Sequence, residues 1–195
     1  MTLTHIIPSL RRTIASPWRR DLWPEFTTTS TVDVTIAGVS LLRLVDWCGT
    51  PCVHTAAAVT PRAGGRVDPR TRDEDATSVI VAKVIAIDSH DDAIDVWIDA
   101  DLSGCNAFPS ETRMIGRVST AHDTVIHLRS GRGNPSRGGA CSVPIELGSD
   151  IHFGDLLAIP CAGTTCLHEI DPNHLHRAAS AVDEEKPVPP TSCGK

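Results

Sequence analysis

The run from Ser78 to Asp88, SVIVAKVIAID, constrains the fold more than any other stretch of this chain. Val and Ile occupy six of its eleven positions, and β-branched residues favour extended backbone. The turn residues Ser89 to Asp92 follow, and Ile94 to Leu102 can return as the partner of a hairpin. The sequence is therefore predicted to be built around antiparallel β-structure.

Further short segments have strand character, and one segment has helical character. Ser40 can cap a helix whose apolar positions run from Leu41 to Cys48 and which Gly49 ends. We therefore expect a mainly β fold, a single small barrel or sandwich of about seven mostly antiparallel strands with one short helix near the N-terminus and flexible ends. Pro160 is expected to stop the last strand, and Gly163 to permit a tight turn after it. The remaining predicted strands are Val32–Ile36, Glu111–Val118, Asp123–Leu128, Ser142–Leu147 and Asp155–Ile159.

Composition limits the classes of function. The 195 residues are 41% apolar and 22% charged, which suits one globular domain. A net charge of −6 argues against a nucleic-acid surface or a polybasic membrane patch. The chain has no apolar run long enough to span a membrane and no signal-peptide core. Its seven cysteines form no small-scaffold framework, so we expect mostly buried thiols in a cytoplasmic protein.

The chain divides into three parts by composition. Residues 1–21 form a basic arm or short helix, with an organelle-targeting peptide as the alternative. Residues 22–177 form the domain, which contains an exposed Pro/Gly/Arg/Asp-rich loop at 55–77. Residues 178–195 are acidic and Pro-rich and are expected to be a disordered tail. A structureless loop of that length inside a compact domain is unusual.

Five segments, in order along the chain, resemble one enzyme family. They are the strand–helix–GTP opening that ends at Pro51, SVIVAKVIAID, DVWIDADLSG, MIGRVSTAHD and GDLLAIPCAGTTC. Together they are similar to the C-terminal β-domain, with its N-terminal strand, of the fold type III pyridoxal-phosphate decarboxylases that act on diaminopimelate, ornithine or arginine. The family's TIM barrel, which takes roughly 250 residues, is missing. The loop Thr55–Thr77 stands in its place, and we expect it to bridge two neighbouring strands.

The resemblance also implies where catalytic residues are missing. Thr165 stands where the family's "GAY" motif has a tyrosine, and of the family's "CESGD" only Asp123 is kept, with Ser119 at its start. None of the chain's three lysines occupies the position of the family's Schiff-base lysine. We therefore treat Ser119, Asp123 and Thr165 as vestigial positions. No cofactor is expected, and no pyridoxal-phosphate catalysis by this chain alone.

The chain also contains residue types that could support other chemistries. Cys161, Cys166 and His168 are candidate zinc ligands, together with Cys48, Cys52 and His54 if the two groups meet. Cys52 with His54, and Cys166 with His168, are spaced so that a thiol and a base would share one face of a strand. Ser119, His122 and Asp123 match a catalytic triad in composition. The loop Ser130–Gly139 could hold an anion or be an ordinary surface turn.

These observations favour a barrel-less, catalytically disabled relative of the decarboxylases that acts as a non-catalytic binding, regulatory or accessory subunit. Its partner would be a protein: a full-length decarboxylase, another enzyme, or a second copy of this chain. One alternative is a small biosynthetic enzyme or metal-binding protein that reuses Cys and His groups. Another is an unrelated small barrel, which would be favoured if Val32–Ile36 does not join the C-terminal strands.

Overall fold

The structure is a computed structural model that describes residues 18–59, 76–90, 93–130 and 142–171. The predictions for the N-terminal arm, the centre of the long loop, the loop Ser130–Gly139 beyond Ser130 and the acidic tail fall outside these ranges. The helices are α1 (Leu41–Cys48) and α2 (Leu167–Ile170). The strands are β1 (Thr27–Thr29), β2 (Val34–Ile36), β3 (Val39–Ser40), β4 (Cys52–Ala57), β5 (Ala76–His90), β6 (Ala93–Ile98), β7 (Asn106–Ala107), β8 (Arg113–Ile115), β9 (Asp123–Ser130), β10 (Val143–Gly148) and β11 (Leu156–Ala162).

The strands form two sheets, and the prediction of a mainly β fold is confirmed. The larger sheet has the order β10-β9-β6-β5-β11-β7, with β4 also paired to β5 and β8 also paired to β11, and it curls into a half-barrel. The smaller sheet has the order β1-β2-β3. Among the paired strands described, only β6 and β9 run parallel. The described strands number eleven rather than about seven, because several are too short to show a period in the sequence.

The central strand β5 is buried on both faces, from Val79 to Ala82. Between Val79 and Val84 its even-numbered side chains enter a core inside the half-barrel, and Val79 and Val81 enter a second core outside it, as expected of alternating side-chain direction. The register shifts between Val84 and Ala86, and Ile87 packs against the inner core. This explains why its sequence is a continuous apolar run. The inner core includes Ile80, Ala82, Val84, Val96, Ile98, Ile126, Leu128, Ile145, Leu157, Ile159, Cys161 and Ile170. The outer core includes Trp23, Val34, Ile36, Leu41, Cys52, Val79, Val81, Ile115 and Ala158.

Helix α1 has the bounds and the caps that the sequence predicts. The Ser40 hydroxyl accepts a hydrogen bond from the Arg43 amide at 3.2 Å, and Gly49 ends the helix at φ 71°. Asp33 adds a second cap, because its carboxylate accepts from the Leu42 amide at 3.3 Å and from the Ser40 hydroxyl at 2.6 Å. Helix α1 covers the outer core through Leu41.

The predicted strand at Val32–Ile36 is not part of the large sheet, although the Val32 carbonyl accepts from the amide of Gly116, the residue after β8, at 2.7 Å. It is shortened to β2, which pairs with β1 and β3 and only packs on the outer core. The N-terminal strand that joins the large sheet is β4, which pairs antiparallel with β5 so that Ala57 lies opposite Ala76. Residues 58–75 therefore connect two neighbouring strands, while both ends of the predicted loop 55–77 are strand residues.

The expectation that Pro160 stops a strand is wrong. Pro160 lies inside β11, opposite Val79 of β5. Its carbonyl accepts from the Phe108 amide at 2.8 Å, so its missing N–H faces the side of Phe108 rather than β5. On that side β8 pairs with residues 156–158 of β11, and β7 pairs with residues 161–162. Pro160 lies between these two pairings, so its missing N–H removes no hydrogen bond from either of them. The tight turn follows at Gly163, whose φ is 79°.

Two other predicted strands are shorter than expected. In Glu111–Val118 only Arg113–Ile115 is strand, because Pro109–Glu111 forms a 3-10 turn. The return strand Ile94–Leu102 ends at Ile98, where the Asp99 carboxylate accepts from the Lys83 amide at 2.8 Å. Of the helices in the described ranges, none has the length and apolar character needed to cross a membrane.

Candidate functional site

The Ser119 region is organised by the side chain of Arg117. Its guanidinium binds the Asp155 carboxylate with two hydrogen bonds, from Nε at 2.7 Å and from Nη2 at 2.6 Å. Nη1 donates to the Asp150 carboxylate at 3.0 Å, and Nη2 also donates to the Asp150 carbonyl at 2.6 Å. The loop after β8 is thereby joined to the turn between β10 and β11. This bidentate arrangement is the strong form of an ion pair.

The charges of this cluster stabilise one another. Hydrogen bonds to Asp155 raise the pKa of Arg117, against the lowering effect of burial, and Asp150 adds to the rise. Burial alone would raise the pKa of Asp150, but hydrogen bonds from Ser119 and Arg117 outweigh it and hold that pKa below its ordinary value. Arg117 and Asp150 therefore remain charged near neutral pH, and the cluster acts as a structural clamp.

Ser119 is part of the same clamp rather than a free hydroxyl. It donates a hydrogen bond to Asp150 Oδ1. Gly148, the last residue of β10, lies against it: a Cβ added there would overlap the Ser119 hydroxyl oxygen and lie 2.8 Å from both Asp150 Oδ1 and Ser119 Cβ. Position 148 thus requires glycine because the side chains of Ser119 and Asp150 approach its Cα closely, and not because of its backbone conformation.

We expect Gly148→Ala to destabilise the protein by about 1–3 kcal/mol, as overpacking does. Urea unfolding measures the effect. Gly104→Ala is the matched control, because a Cβ at Gly104 meets nothing within 4 Å, and its unfolding should differ from that of the wild type by less than about 1 kcal/mol. Ser119→Gly in the Gly148→Ala background should recover part of the loss, because it removes the overlap with the Ser119 side chain while Asp150 Oδ1 stays 2.8 Å from the added Cβ. Equal stability of the two alanine variants would refute the close approach.

The triad-like residues Ser119, His122 and Asp123 do not assemble as a triad. The Ser119 hydroxyl donates to Asp150, while His122 is exposed and its Nδ1 lies 3.4 Å from the Ser149 hydroxyl. Asp123 begins β9 and pairs with Gly148. The three residues are neighbours in the sequence, but the Ser119 hydroxyl is bonded to Asp150 and the His122 ring to Ser149.

Thr165 is buried at the end of the half-barrel. Its amide donates to the Ser78 hydroxyl at 2.9 Å, and that hydroxyl donates to the Gly163 carbonyl at 2.9 Å. A serine hydroxyl has one proton to donate, so the Thr55 hydroxyl, 2.9 Å away, must donate to Ser78. Ser78 is therefore saturated with partners. Burial raises the pKa of Cys105, and a hydrogen bond from Thr165 partly offsets that rise. Thr165 stands at the position where the decarboxylases that the sequence resembles have a tyrosine.

The described residues contain one lysine that can be compared with the Schiff-base lysine of the family that the sequence resembles. The one lysine among them, Lys83, is exposed in the middle of β5, with its amide bonded to the Asp99 carboxylate. A lysine that forms a Schiff base is normally activated by desolvation or by a neighbouring cation, and this exposed ladder position offers neither. Lys186 and Lys195 lie outside the described ranges.

The buried thiols are held in the neutral form. Burial raises the pKa of Cys52 to about 12 and that of Cys161 to about 12. A nucleophilic or metal-binding cysteine needs its thiolate, so the pairing of Cys52 with His54 does not supply an activated nucleophile. Cys48 and Cys166 are the exposed thiols of the described residues.

The predicted zinc ligands occupy different environments. Cys161 is buried in the inner core, whereas Cys166 and His168 are exposed at the start of α2. Within the four described ranges, no three or more His, Cys, Asp or Glu side chains form a group that could hold a metal ion. Cys161, Cys166 and His168 are thus not brought together, and zinc binding stays a prediction.

Sequence reasoning missed the Arg117 clamp. Its partners lie 33 and 38 residues away, and no motif links an arginine after one strand to two aspartates around a distant turn. The only signal in the sequence is the pair Asp150 and Asp155, which brackets the turn before β11.

The chain resembles three solved decarboxylase structures over about half of its length. Two are of the arginine decarboxylase of Paramecium bursaria Chlorella virus, one of them bound to agmatine. Each is 15% identical to this chain, with a TM-score of 0.37 and 50% of this chain covered. The third is the lysine/ornithine decarboxylase from Vibrio vulnificus complexed with cadaverine, with 15% identity, a TM-score of 0.35 and 51% of this chain covered.

This chain covers only 28–29% of the length of those enzymes. They are decarboxylases of the class that the sequence motifs resemble. No family model and no curated protein matches the chain.

Proposed function

We propose that this protein is a non-catalytic binding or accessory subunit: a decarboxylase-like β-domain that contacts a protein partner and carries out no decarboxylation itself. The proposal rests on one observation: serine and cysteine side chains that could act as nucleophiles are hydrogen-bonded or buried within the fold. The Ser78 hydroxyl has three internal hydrogen-bond partners, the Ser119 hydroxyl donates to Asp150, and the Cys52 and Cys161 thiols are buried and neutral.

Surface features support a role in protein contact. Phe26, Trp47 and Phe153 are all strongly exposed, although a large aromatic side chain gains most by burial. Arg43 stacks on the Trp47 ring, with its guanidinium carbon 5.5 Å from the ring centroid. Aromatic and arginine side chains are enriched at the centres of protein interfaces.

Phe26 is the most informative of these residues. It is 66% exposed, and its φ of 58° lies in the left-handed region, which costs an ordinary side chain roughly 1–2 kcal/mol. The Ala37 amide donates to the Phe26 carbonyl at 3.2 Å, and the Thr27 hydroxyl donates to the Pro24 carbonyl at 2.7 Å. The backbone around it is thus fixed by hydrogen bonds, and strained residues of this kind concentrate at functional sites.

We expect Phe26→Gly to leave the fold intact and to raise its stability by up to about 1 kcal/mol, because glycine relieves the left-handed strain. At the same time the substitution should weaken partner binding, because it removes the exposed ring. Thermal unfolding measures the first effect. Phe153→Ala, also at an exposed aromatic but without positive φ, should change stability by less than about 0.5 kcal/mol. A marked loss of stability in Phe26→Gly would mean that the ring packs within its own fold.

Partner binding is tested with the full-length chain. Sedimentation velocity across a concentration series detects self-association. Co-purification of a tagged chain from its native host, with Phe26→Gly and Trp47→Ala as matched baits, identifies a second protein. The proposal expects a complex that is re-formed from purified components and weakened in the Phe26→Gly bait. A monomeric chain that retains no partner in either experiment would contradict it.

A second measurement distinguishes a non-catalytic subunit from the alternative, a small enzyme or a metal-binding protein. Elemental analysis of the purified chain should show no stoichiometric zinc, and added pyridoxal phosphate should not be retained after gel filtration. Stoichiometric zinc that is lost in Cys166→Ser or His168→Ala would favour the alternative over a non-catalytic subunit.

A further inference from the structure

Strand β4 lies at an edge of the large sheet, and hydrogen bonds show which of its backbone groups point outward. The Glu25 amide donates to the Ala57 carbonyl at 2.7 Å, so Ala57 directs its backbone groups away from β5. Backbone groups alternate in direction along a strand. Val53 and Thr55 therefore also direct their N–H and C=O groups away from β5.

The far side of β5 leads to the same assignment. The Gly163 amide donates to the Ala76 carbonyl at 2.9 Å, so the even-numbered residues at this end of β5 face β11. The odd-numbered residues of β5 then face β4, and their partners in the register are Cys52, His54 and Ala56. The odd-numbered residues of β4 are thus the ones that face outward.

Four backbone groups on this edge have no hydrogen-bond partner among the described residues: the N–H and C=O of Val53 and those of Thr55. One side of β4 pairs with β5. On its other side, residues 24–25 meet β4 only at residues 57–58. Thr55 is exposed and Val53 is half-buried. Free groups of this kind can hydrogen-bond to a further strand.

The edge of β4 also lacks the features that normally prevent strands from pairing. Exposed edges are commonly protected by charged side chains, by proline or by a β-bulge. The sequence of β4, CVHTAA, contains no Lys, Arg, Asp, Glu or Pro, and its register with β5 is unbroken. By contrast β10, at one end of the strand order of the same sheet, contains Pro144 and Glu146.

We propose that two copies of this chain associate through β4, by antiparallel pairing of the two β4 strands about a two-fold axis at His54. Val53 of each copy then lies opposite Thr55 of the other, and each of these two pairs makes two hydrogen bonds. The resulting four hydrogen bonds use all four free groups of each copy. The edge is therefore self-complementary, as a two-fold interface requires.

The residues at the two ends of β4 select this register. An axis at Val53 would place Thr55 opposite Pro51, which has no N–H to donate. An axis at Thr55 would place Val53 opposite Ala57, whose carbonyl already accepts a hydrogen bond within its own chain. Only an axis at His54 pairs every free group with another free group.

The same pairing brings two exposed aromatic segments together. The N-terminal end of each β4 lies beside the C-terminal end of the other. Trp47 is near the end of α1, which leads into the start of β4, and Phe26 follows Glu25 at the far end; both aromatic side chains are strongly exposed. Burial of such surface adds to the hydrogen bonds. The inference rests on the proposed function and identifies its partner as a second copy of the chain.

Hydrogen exchange of the full-length chain over a concentration series tests the pairing. The Val53 and Thr55 amides should exchange fast in dilute solution and should slow in proportion to the fraction of dimer, which sedimentation velocity measures. The His54 amide faces β5, so it should be protected at every concentration and is the internal control. A wild-type dimer that leaves the Val53 and Thr55 amides in fast exchange would overturn the proposal.

Charge substitutions at His54 test the two-fold axis. The two His54 residues lie opposite each other as a non-hydrogen-bonded pair, with Cα atoms about 4.5 Å apart. His54→Asp or His54→Lys alone brings two like charges together and should weaken the dimer roughly tenfold, whereas an equimolar mixture should restore it. Val125→Lys, which adds the same charge at an exposed residue of β9, should leave association unchanged. A mixture that associates no better than either variant alone would contradict the axis.

Thr55→Pro separates the edge from the fold. Proline is tolerated in an edge strand where the missing N–H pointed to solvent, so the variant should fold, as circular dichroism checks, and remain monomeric. A folded Thr55→Pro chain that dimerises as the wild type does would overturn the role of β4. A monomeric wild type whose tagged form retains a different protein overturns the pairing but not the proposed function, and one that retains none overturns both.

Discussion

Arg117→Ala is expected to lower the free energy of unfolding by about 3 kcal/mol, the lower end of the range for breaking a buried ion pair. Asp155, whose side chain is 3% exposed, would be left buried without its cation. The value is placed at the lower end because Arg117 is 27% and Asp150 34% exposed, and water then compensates part of the loss. Urea unfolding at neutral pH measures the change.

The matched control is Arg19→Ala. Arg19 also bonds an aspartate, Asp21, at 3.1 Å, but the two side chains are 66% and 62% exposed. Exposed pairs of this kind contribute roughly 0–1 kcal/mol. Equal effects of the two substitutions would contradict a clamp at Arg117.

Acid unfolding provides an independent check on the same cluster. The folded-state pKa of Asp150 lies below its ordinary value, which in the unfolded chain is about 3.9. Its contribution to stability is therefore complete above about pH 4 and is lost as the pH falls through the lower folded-state value. The wild type should lose stability over this acid range, and Arg117→Ala should lose less, because it no longer has the cation that lowers that pKa.

Ile126→Ala should cost about 2–5 kcal/mol, whereas Val125→Ala, one residue earlier on β9, should cost less than about 1 kcal/mol. Ile126 is fully buried in the inner core of the half-barrel, while Val125 is 52% exposed on its outer face. The pair tests which face of β9 is internal, since truncating a buried isoleucine removes apolar contacts and leaves a cavity.

Equilibrium unfolding of both variants in urea measures the difference. Because side chains alternate along a strand, a register slip of one residue would exchange the two effects. A larger loss in Val125→Ala than in Ile126→Ala would therefore overturn the pairing of β9 with β6 and β10.

The two cores explain how a short chain supports so long a central strand. Residues 79–82 of β5 are covered on one side by the curl of the large sheet and on the other by α1, β2 and Trp23. The N-terminal third of the described chain contributes one strand, β4, to the large sheet, and its packing covers the outer core. Loss of α1 or β2 would therefore expose the outer face of β5.

Local chemistry made several elements predictable. β-branched residues marked β5, a serine cap and a terminal glycine marked α1 with both its ends, and a glycine marked the turn at residue 163. Each of these signals lies within a few residues of its effect. The order of the motifs along the chain was the basis of the resemblance to the decarboxylases.

The tertiary structure decided the features that depend on distant partners. Pro160 is tolerated in β11 because it lies between the pairings of β8 and β7, where only its carbonyl is hydrogen-bonded, to the Phe108 amide. The sheet that β2 joins is decided by β1 and β3. The Ser119 hydroxyl and the Thr165 amide donate to Asp150 and Ser78, which lie 31 and 87 residues away in the sequence. A hydrogen bond or an ion pair needs atoms within a few ångströms, and only the folded path of the chain brings such groups together.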